Sequence, residues 1–227
     1  MSDTGKVLGP IAVAPIVTAI MAVIVALAAH WSVGWMLLIF AIFGLLYGLM
    51  AGVLRSYDLS THSGVLLLLV DLTWSLPNTI AGFVLGNAIY IFFGTPDRSY
   101  SEAKNWISYK PPVTKTSGFG VDVLQTIGTV NLGGEGKHEP VHVLQARILG
   151  PVFIPLVIVS YIITGAIQVL FTITIGAILK LTGVRDTAYL RPPDGPDGSA
   201  VPGFFGWIYY ATPIELWAYS TEHTVGV

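Results

Sequence analysis

Two long apolar runs near the N-terminus constrain this chain more than anything else in it. From Ile11 to Ala29 there is almost no polar side chain, and after His30-Trp31-Ser32 a second run extends from Val33 to Leu54. Crossing a hydrocarbon layer about 30 Å thick takes roughly 20 apolar residues of helix, and both runs are of that order. In lipid the backbone must satisfy its own hydrogen bonds, which a helix does within a single segment. A secretory signal peptide is the competing reading. The first run is too long for one, and no small-residue cleavage site is followed by a polar chain.

Composition agrees. Of 227 residues, 53% are hydrophobic and 11% are charged, against roughly 25% charged in soluble domains. So little charge cannot cover a globule of this size, whereas a lipid-facing surface needs no covering. The expected partner is therefore the lipid bilayer, and the expected location is integral to a membrane, the bacterial inner (cytoplasmic) membrane. A net charge of −2 without a basic tract argues against nucleic acid. With no cysteine there is no disulfide, thiolate nucleophile or cysteine-ligated metal.

Within the second run, Gly44-x-x-x-Gly48-x-x-x-Gly52 sets small residues along one helix face, a pattern that permits close helix approach. Lys6 and Arg55 flank the outer ends of the pair while the link carries no Lys or Arg. The positive-inside rule then places the N-terminus and Arg55 on the cytoplasmic side. A third apolar stretch, Gly64 to Phe93, contains Asp71 and is broken by Pro77, so it forms either one kinked helix or a re-entrant pair. Asp71 has three open partners: Arg55, Arg147, or the helix break near Asn78.

The section Gly94 to Lys137 is the most polar, and Val121 to Leu132 within it predicts a short strand or hairpin. Gly133, Gly134 and Gly136 precede a helix near His138, and they lack the Lys-Ser/Thr of a phosphate-binding loop. A fourth apolar stretch spans Val152 to Leu181. Thr182 to Gly203 reads as loop, and the aromatic segment Phe204 to Tyr219 reads as an interfacial helix. The expected fold class is mainly α: a polytopic membrane protein with about four apolar segments and a small polar cap. That cap holds the β-hairpin and the helix near His138. Residues 1–63 form a transmembrane hairpin in this reading, and 64–227 a membrane-associated metalloprotein-like domain.

The chemistry concentrates in His138-Glu139-Pro140-Val141-His142. Residues four apart lie on the same helix face, so both imidazoles can bind one divalent cation, with Glu139 beside them to take a proton from metal-bound water. Zinc is the expected metal. The chain has five histidines and few glutamates, so by composition this motif arises by chance about 2 times in 1,000 chains. Pro140 requires the helix to begin at His138 or Glu139, because proline is harmless only in the first turn. Gln145 continues the same face as a supporting or packing residue. The expected third ligand is Glu215, a carboxylate in an apolar, aromatic segment where an unpaired charge is expensive. Glu222 and His223 are the alternatives. His30 and His62 stand alone, and one histidine has little diagnostic value. If Val152 to Leu181 crosses once as a helix of about 45 Å, Glu215 starts on the opposite side. The later segment must then re-enter, or the stretch must fold back near Gly165 or Gly176.

These motifs also occur in a characteristic order. Trp74-Ser75-Leu76-Pro77-Asn78-Thr79 is followed by Gly82 and Gly86, then Thr126-Ile127-Gly128-Thr129-Val130. Next come His138-Glu139-Pro140-Val141-His142-Val143-Leu144-Gln145, Gly150-Pro151-Val152-Phe153-Ile154-Pro155, and Pro213-Ile214-Glu215-Leu216-Trp217-Ala218-Tyr219. From Asp71 to Glu222 the chain resembles an uncharacterised bacterial family of small gluzincin-like metalloproteins, to which the first two spans are additions. The resemblance implies metal binding by His138, His142 and Glu215, with Glu139 as the base. It supplies no substrate. Two functions follow as expectations: a membrane-embedded zinc metallopeptidase, that is, a hydrolase, or a non-catalytic accessory subunit of a larger respiratory or photosynthetic membrane complex.

Overall fold

A computed structural model describes residues 4–87, 95–110, 126–131, 138–183 and 203–221. These are mainly helical, with one small sheet. The chain divides into two compact units, Met1–Phe153 and Ile154–Val227.

The first unit opens with helices α1 (Thr4–Ala29) and α2 (Val33–Leu54). Every fourth residue of α1 is buried, namely Pro10, Ala14, Thr18, Ala22 and Ala26, which makes a stripe of small side chains. The glycine stripe of α2 meets it. A Cβ on Gly48 would lie 2.7 Å from the Pro10 carbonyl oxygen, and one on Gly52 would lie 2.5 Å from that of Val7. The expected close approach is therefore real, and only glycine fits at these contacts. Ile16, Ile20, Ile24 and Leu27 point outward from α1 and are exposed. Both helices end in the same way. His30 and Arg55 take φ 55°, and the next N–H reaches back five residues, Trp31 to Ala26 and Ser56 to Ala51, each at 2.9 Å. This left-handed cap closes carbonyls that the helix end leaves open.

The third apolar stretch is a bent pair. Helix α3 (His62–Leu72) is capped by Thr61, whose hydroxyl accepts from the Gly64 amide at 3.1 Å. Helix α4 (Leu76–Ala81) continues into a wide π turn, Gly82–Gly86, and the two helices meet at 83°. Pro77 sits in the first turn of α4, so it starts a second helix instead of kinking the first. Residues 88–93 of this stretch lie outside the described residues.

Next come β1 (Thr95–Pro96), α5 (Arg98–Lys104), β2 (Ile107–Lys110), β3 (Thr126–Ile127) and β4 (Val130–Asn131). The strand order is β1-β2-β4-β3. β1 and β2 are antiparallel with Thr95 opposite Lys110, β2 and β4 are parallel with Ile107 opposite Val130, and β3 and β4 are antiparallel with Thr126 opposite Asn131. The hairpin expected within Val121 to Leu132 is thus present from Thr126 to Asn131, its remaining residues lying outside those described. Gly128 makes its turn at φ 59°, and a Cβ there would collide with the Asn78 backbone.

Helix α6 (His138–Leu149) ends in a 3-10 turn, Gly150–Val152, before α7 (Phe153–Phe171), a π turn (Thr172–Gly176) and α8 (Ala177–Leu181). By length and composition three helical runs among the described residues could cross a membrane: Thr4–Ala29, Val33–Leu54 and His138–Leu179, with the bent pair as a fourth candidate. The fold-back considered near Gly165 or Gly176 does not occur. Helix α7 runs through Gly165, and the π turn absorbs Gly176.

The second unit adds α9 (Gly203–Ala211) and α10 (Pro213–Thr221). One helix was expected over Phe204 to Tyr219. Instead the chain breaks at Thr212, because Pro213 lacks the N–H that would continue α9 and is suited to opening the next helix. The Thr212 hydroxyl donates to the Ile208 carbonyl at 2.6 Å and closes the end of α9.

Candidate metal centre

Helix α6 presents the expected pair. With His138 as its first residue, Pro140 falls in the first turn, where a missing N–H costs nothing. The imidazoles of His138 and His142 stand edge to face, with centroids 4.8 Å apart and planes at 83°. Their Nε2 atoms are 3.1 Å apart. Two nitrogens each about 2.05 Å from a tetrahedral cation would be about 3.3 Å apart, so the pair already has close to the required spread. Glu139, between them in sequence, is 5% exposed, and its Oε2 is buried with no hydrogen-bond partner. A buried, unsatisfied carboxylate oxygen is costly in a structural role and fits a group that meets a cation or a polarised water. The other nitrogen of His142, Nδ1, is 2.8 Å from Oε1 of the fully buried Gln145.

Three devices hold this helix in place. At its start, the Thr126 hydroxyl of the hairpin donates to the Glu139 carbonyl at 3.1 Å. At its end, Gly150 turns left-handed at φ 54° and Pro151 has no N–H, so the last carbonyls lack helical partners. Side chains from the break between α3 and α4 supply them. Trp74 Nε1 donates to the Ile148 carbonyl (3.2 Å) and Ser75 Oγ to that of Ala146 (2.9 Å). Asn78 Nδ2 donates to those of Ala146 (3.1 Å) and Gly150 (2.7 Å). A Cβ at position 150 would strike the Trp74 ring, which explains the glycine. In the last turn of α6, Arg147 grips Asp71 with both ends of its guanidinium, Nε to Oδ1 at 2.8 Å and Nη2 to Oδ2 at 2.7 Å. Of the partners open to Asp71, the fold selects Arg147.

That ion pair extends into a buried chain. The Tyr57 hydroxyl donates to Asp71 Oδ2 at 2.6 Å and lies 2.6 Å from the Tyr47 hydroxyl. Arg147 also donates to the Asn105 carbonyl at 2.6 Å. Burial first, and then the negative charge of Asp71, hold the Tyr57 phenol well above its ordinary range, so it stays protonated and donates.

Glu215 belongs to the second unit, in the first turn of α10, and is 6% exposed. The Tyr161 hydroxyl of α7 donates to its Oε1 at 2.9 Å. Tyr161 was missed in the sequence, where its signal was a phenol set among aliphatic residues. Glu222 and His223 lie outside the described residues. His30 caps α1 and His62 opens α3. In comparisons with protein-family models, curated proteins and solved structures, the chain matches none.

Proposed function

We propose that this chain is a polytopic membrane protein carrying a zinc-dependent hydrolytic centre of the peptidase type. In this reading His138 and His142 would bind the ion, with Glu215 as the third ligand. The observation that carries the reading is the 3.1 Å separation of the two Nε2 atoms on one turn of α6. Two imidazoles and a carboxylate suit zinc and leave a fourth position open. Bound zinc would acidify a water toward neutrality and polarise a substrate carbonyl. The chain's own contribution is to fix the two imidazoles on a clamped helix and to keep Glu139 buried with one oxygen unsatisfied, ready to accept a proton. The Tyr161 hydroxyl orients Glu215 by donating to its Oε1.

The membrane part of the proposal rests on exposed apolar surface. Ile16, Ile20 and Ile24 on α1 and Ile158, Ile162 and Ile167 on α7 are all more than half exposed. At about 25 cal/mol per Å² such faces are expensive in water and neutral in lipid. Metal analysis of the protein purified in mild detergent tests the centre. The expected result is about one zinc per chain, lost in His142→Ala and in Glu215→Ala. Stoichiometric zinc unchanged in both variants, or its absence from the native chain, would overturn it.

A further inference from the structure

We propose that Gln145 is a positioning residue for the metal centre, selecting the tautomer of His142 that carries its lone pair on Nε2, the nitrogen that would bind the ion. This deepens the metal-centre reading above and rests on it. An imidazole binds a cation through a nitrogen lone pair, so the proton of the neutral ring must sit on the other nitrogen. In His142 that other nitrogen is Nδ1, 2.8 Å from Gln145 Oε1. An amide oxygen carries no hydrogen, so the proton in this contact belongs to Nδ1. The Nε2 lone pair is then directed at His138 Nε2, 3.1 Å away.

The contact is well built. Gln145 is fully buried and lies one turn after His142 on the same helix, so it reaches the ring without a tertiary rearrangement. The clamp on the Ala146 carbonyl from Ser75 and Asn78 fixes the backbone right beside it. Partners of this kind orient the ring and raise its basicity, and their loss typically lowers metal affinity 10- to 100-fold.

The test compares Gln145→Leu, which removes the acceptor at similar volume, with Gln145→Glu, which keeps an acceptor oxygen. Nitrogen-15 NMR of histidine-labelled, metal-free protein, at a pH where the ring is neutral, reads the tautomer. Zinc affinity is measured by competition with a chromophoric chelator. In the native chain and in Gln145→Glu, His142 should carry its proton on Nδ1. In Gln145→Leu that preference should disappear, and zinc affinity should fall about 10- to 100-fold, with Gln145→Glu staying within about threefold of native. A native His142 protonated on Nε2 overturns the inference, as does a Gln145→Leu variant that keeps both the tautomer and the affinity. If Gln145→Leu fails to fold, the native tautomer and the Gln145→Glu comparison still decide. The tautomer measurement needs no metal, so the expected tautomer in a chain that binds no zinc would sink the metal-centre reading alone.

Discussion

Asp71 and Arg147 are the clearest case of single residues deciding how this unit holds together. Asp71 is fully buried and the Arg147 side chain is 8% exposed. Two charges so far from water are tolerable only because each satisfies the other, with Tyr57 and the Asn105 carbonyl taking the remaining hydrogen-bonding positions. Removing one partner leaves the other charged and unpaired, which costs about 3–5 kcal/mol, whereas replacing both with apolar groups is often tolerated. Arg147→Met and Asp71→Leu should therefore each destabilise strongly, and the double variant should lose less than either. Reversible unfolding in mixed micelles measures this; additive losses in the double variant would contradict it. Asp97, outside the apolar helices, is one source of pH dependence. Its burial works to raise the carboxyl, but the Tyr100 amide and the Ser99 hydroxyl outweigh that and hold it below the usual aspartate range. A depressed folded value means stability that is present above the unfolded value and lost as pH falls through the folded one. The protection factor of the Tyr100 amide, which Asp97 caps at 3.0 Å, should fall as pH drops below about 4, after correction for intrinsic exchange, which itself slows over that range.

Among the elements, the break between α3 and α4 matters more than either helix. Trp74, Ser75 and Asn78 leave the bend as hydrogen-bond donors to the far end of α6, so the bent pair serves as the C-terminal cap of the helix that carries the histidines. Asn78 makes the most of these bonds, to Ser75 Oγ and to the carbonyls of Ala146 and Gly150. Asn78→Ala should cost about 1–3 kcal/mol, from the three buried hydrogen bonds it removes, and should loosen the end of α6 before its start. Amide exchange along α6 reads this directly. Uniform protection in the variant would show that the clamp is dispensable.

For the whole molecule, the proposed membrane hairpin makes a prediction about sidedness. The chain has no cysteine, so single cysteines can be introduced into a clean background. Ser32, in the link between α1 and α2, and Ser60, after α2, are both exposed. If that hairpin crosses the membrane twice, Ser32→Cys and Ser60→Cys should react with an impermeant thiol reagent from opposite sides. By the positive-inside rule, Lys6 and Arg55 predict that Ser60→Cys reacts from the cytoplasmic side. Labelling of both from one side would rule out the two-span hairpin.

Much of this was legible without coordinates, and the reason is locality. The extent of the second helix and the end of the first, the glycine stripe between them, the start of α6 at His138 and the pairing of imidazoles four residues apart follow from periodicity and from proline geometry, whereas α1 begins at Thr4, seven residues before its apolar run. All of these act within a turn or two of the chain. Where local rules met a competing signal the reading was weaker, as at Thr212, where a run of aromatics suggested one helix and Pro213 imposed two. What only the tertiary structure decided are the bonds between distant residues: the choice of Arg147 for Asp71 across 76 positions, and the service of Trp74, Ser75 and Asn78 to α6. No local pattern encodes such partners, because a buried charge or an orphaned carbonyl specifies only that it must be satisfied, and packing determines by whom.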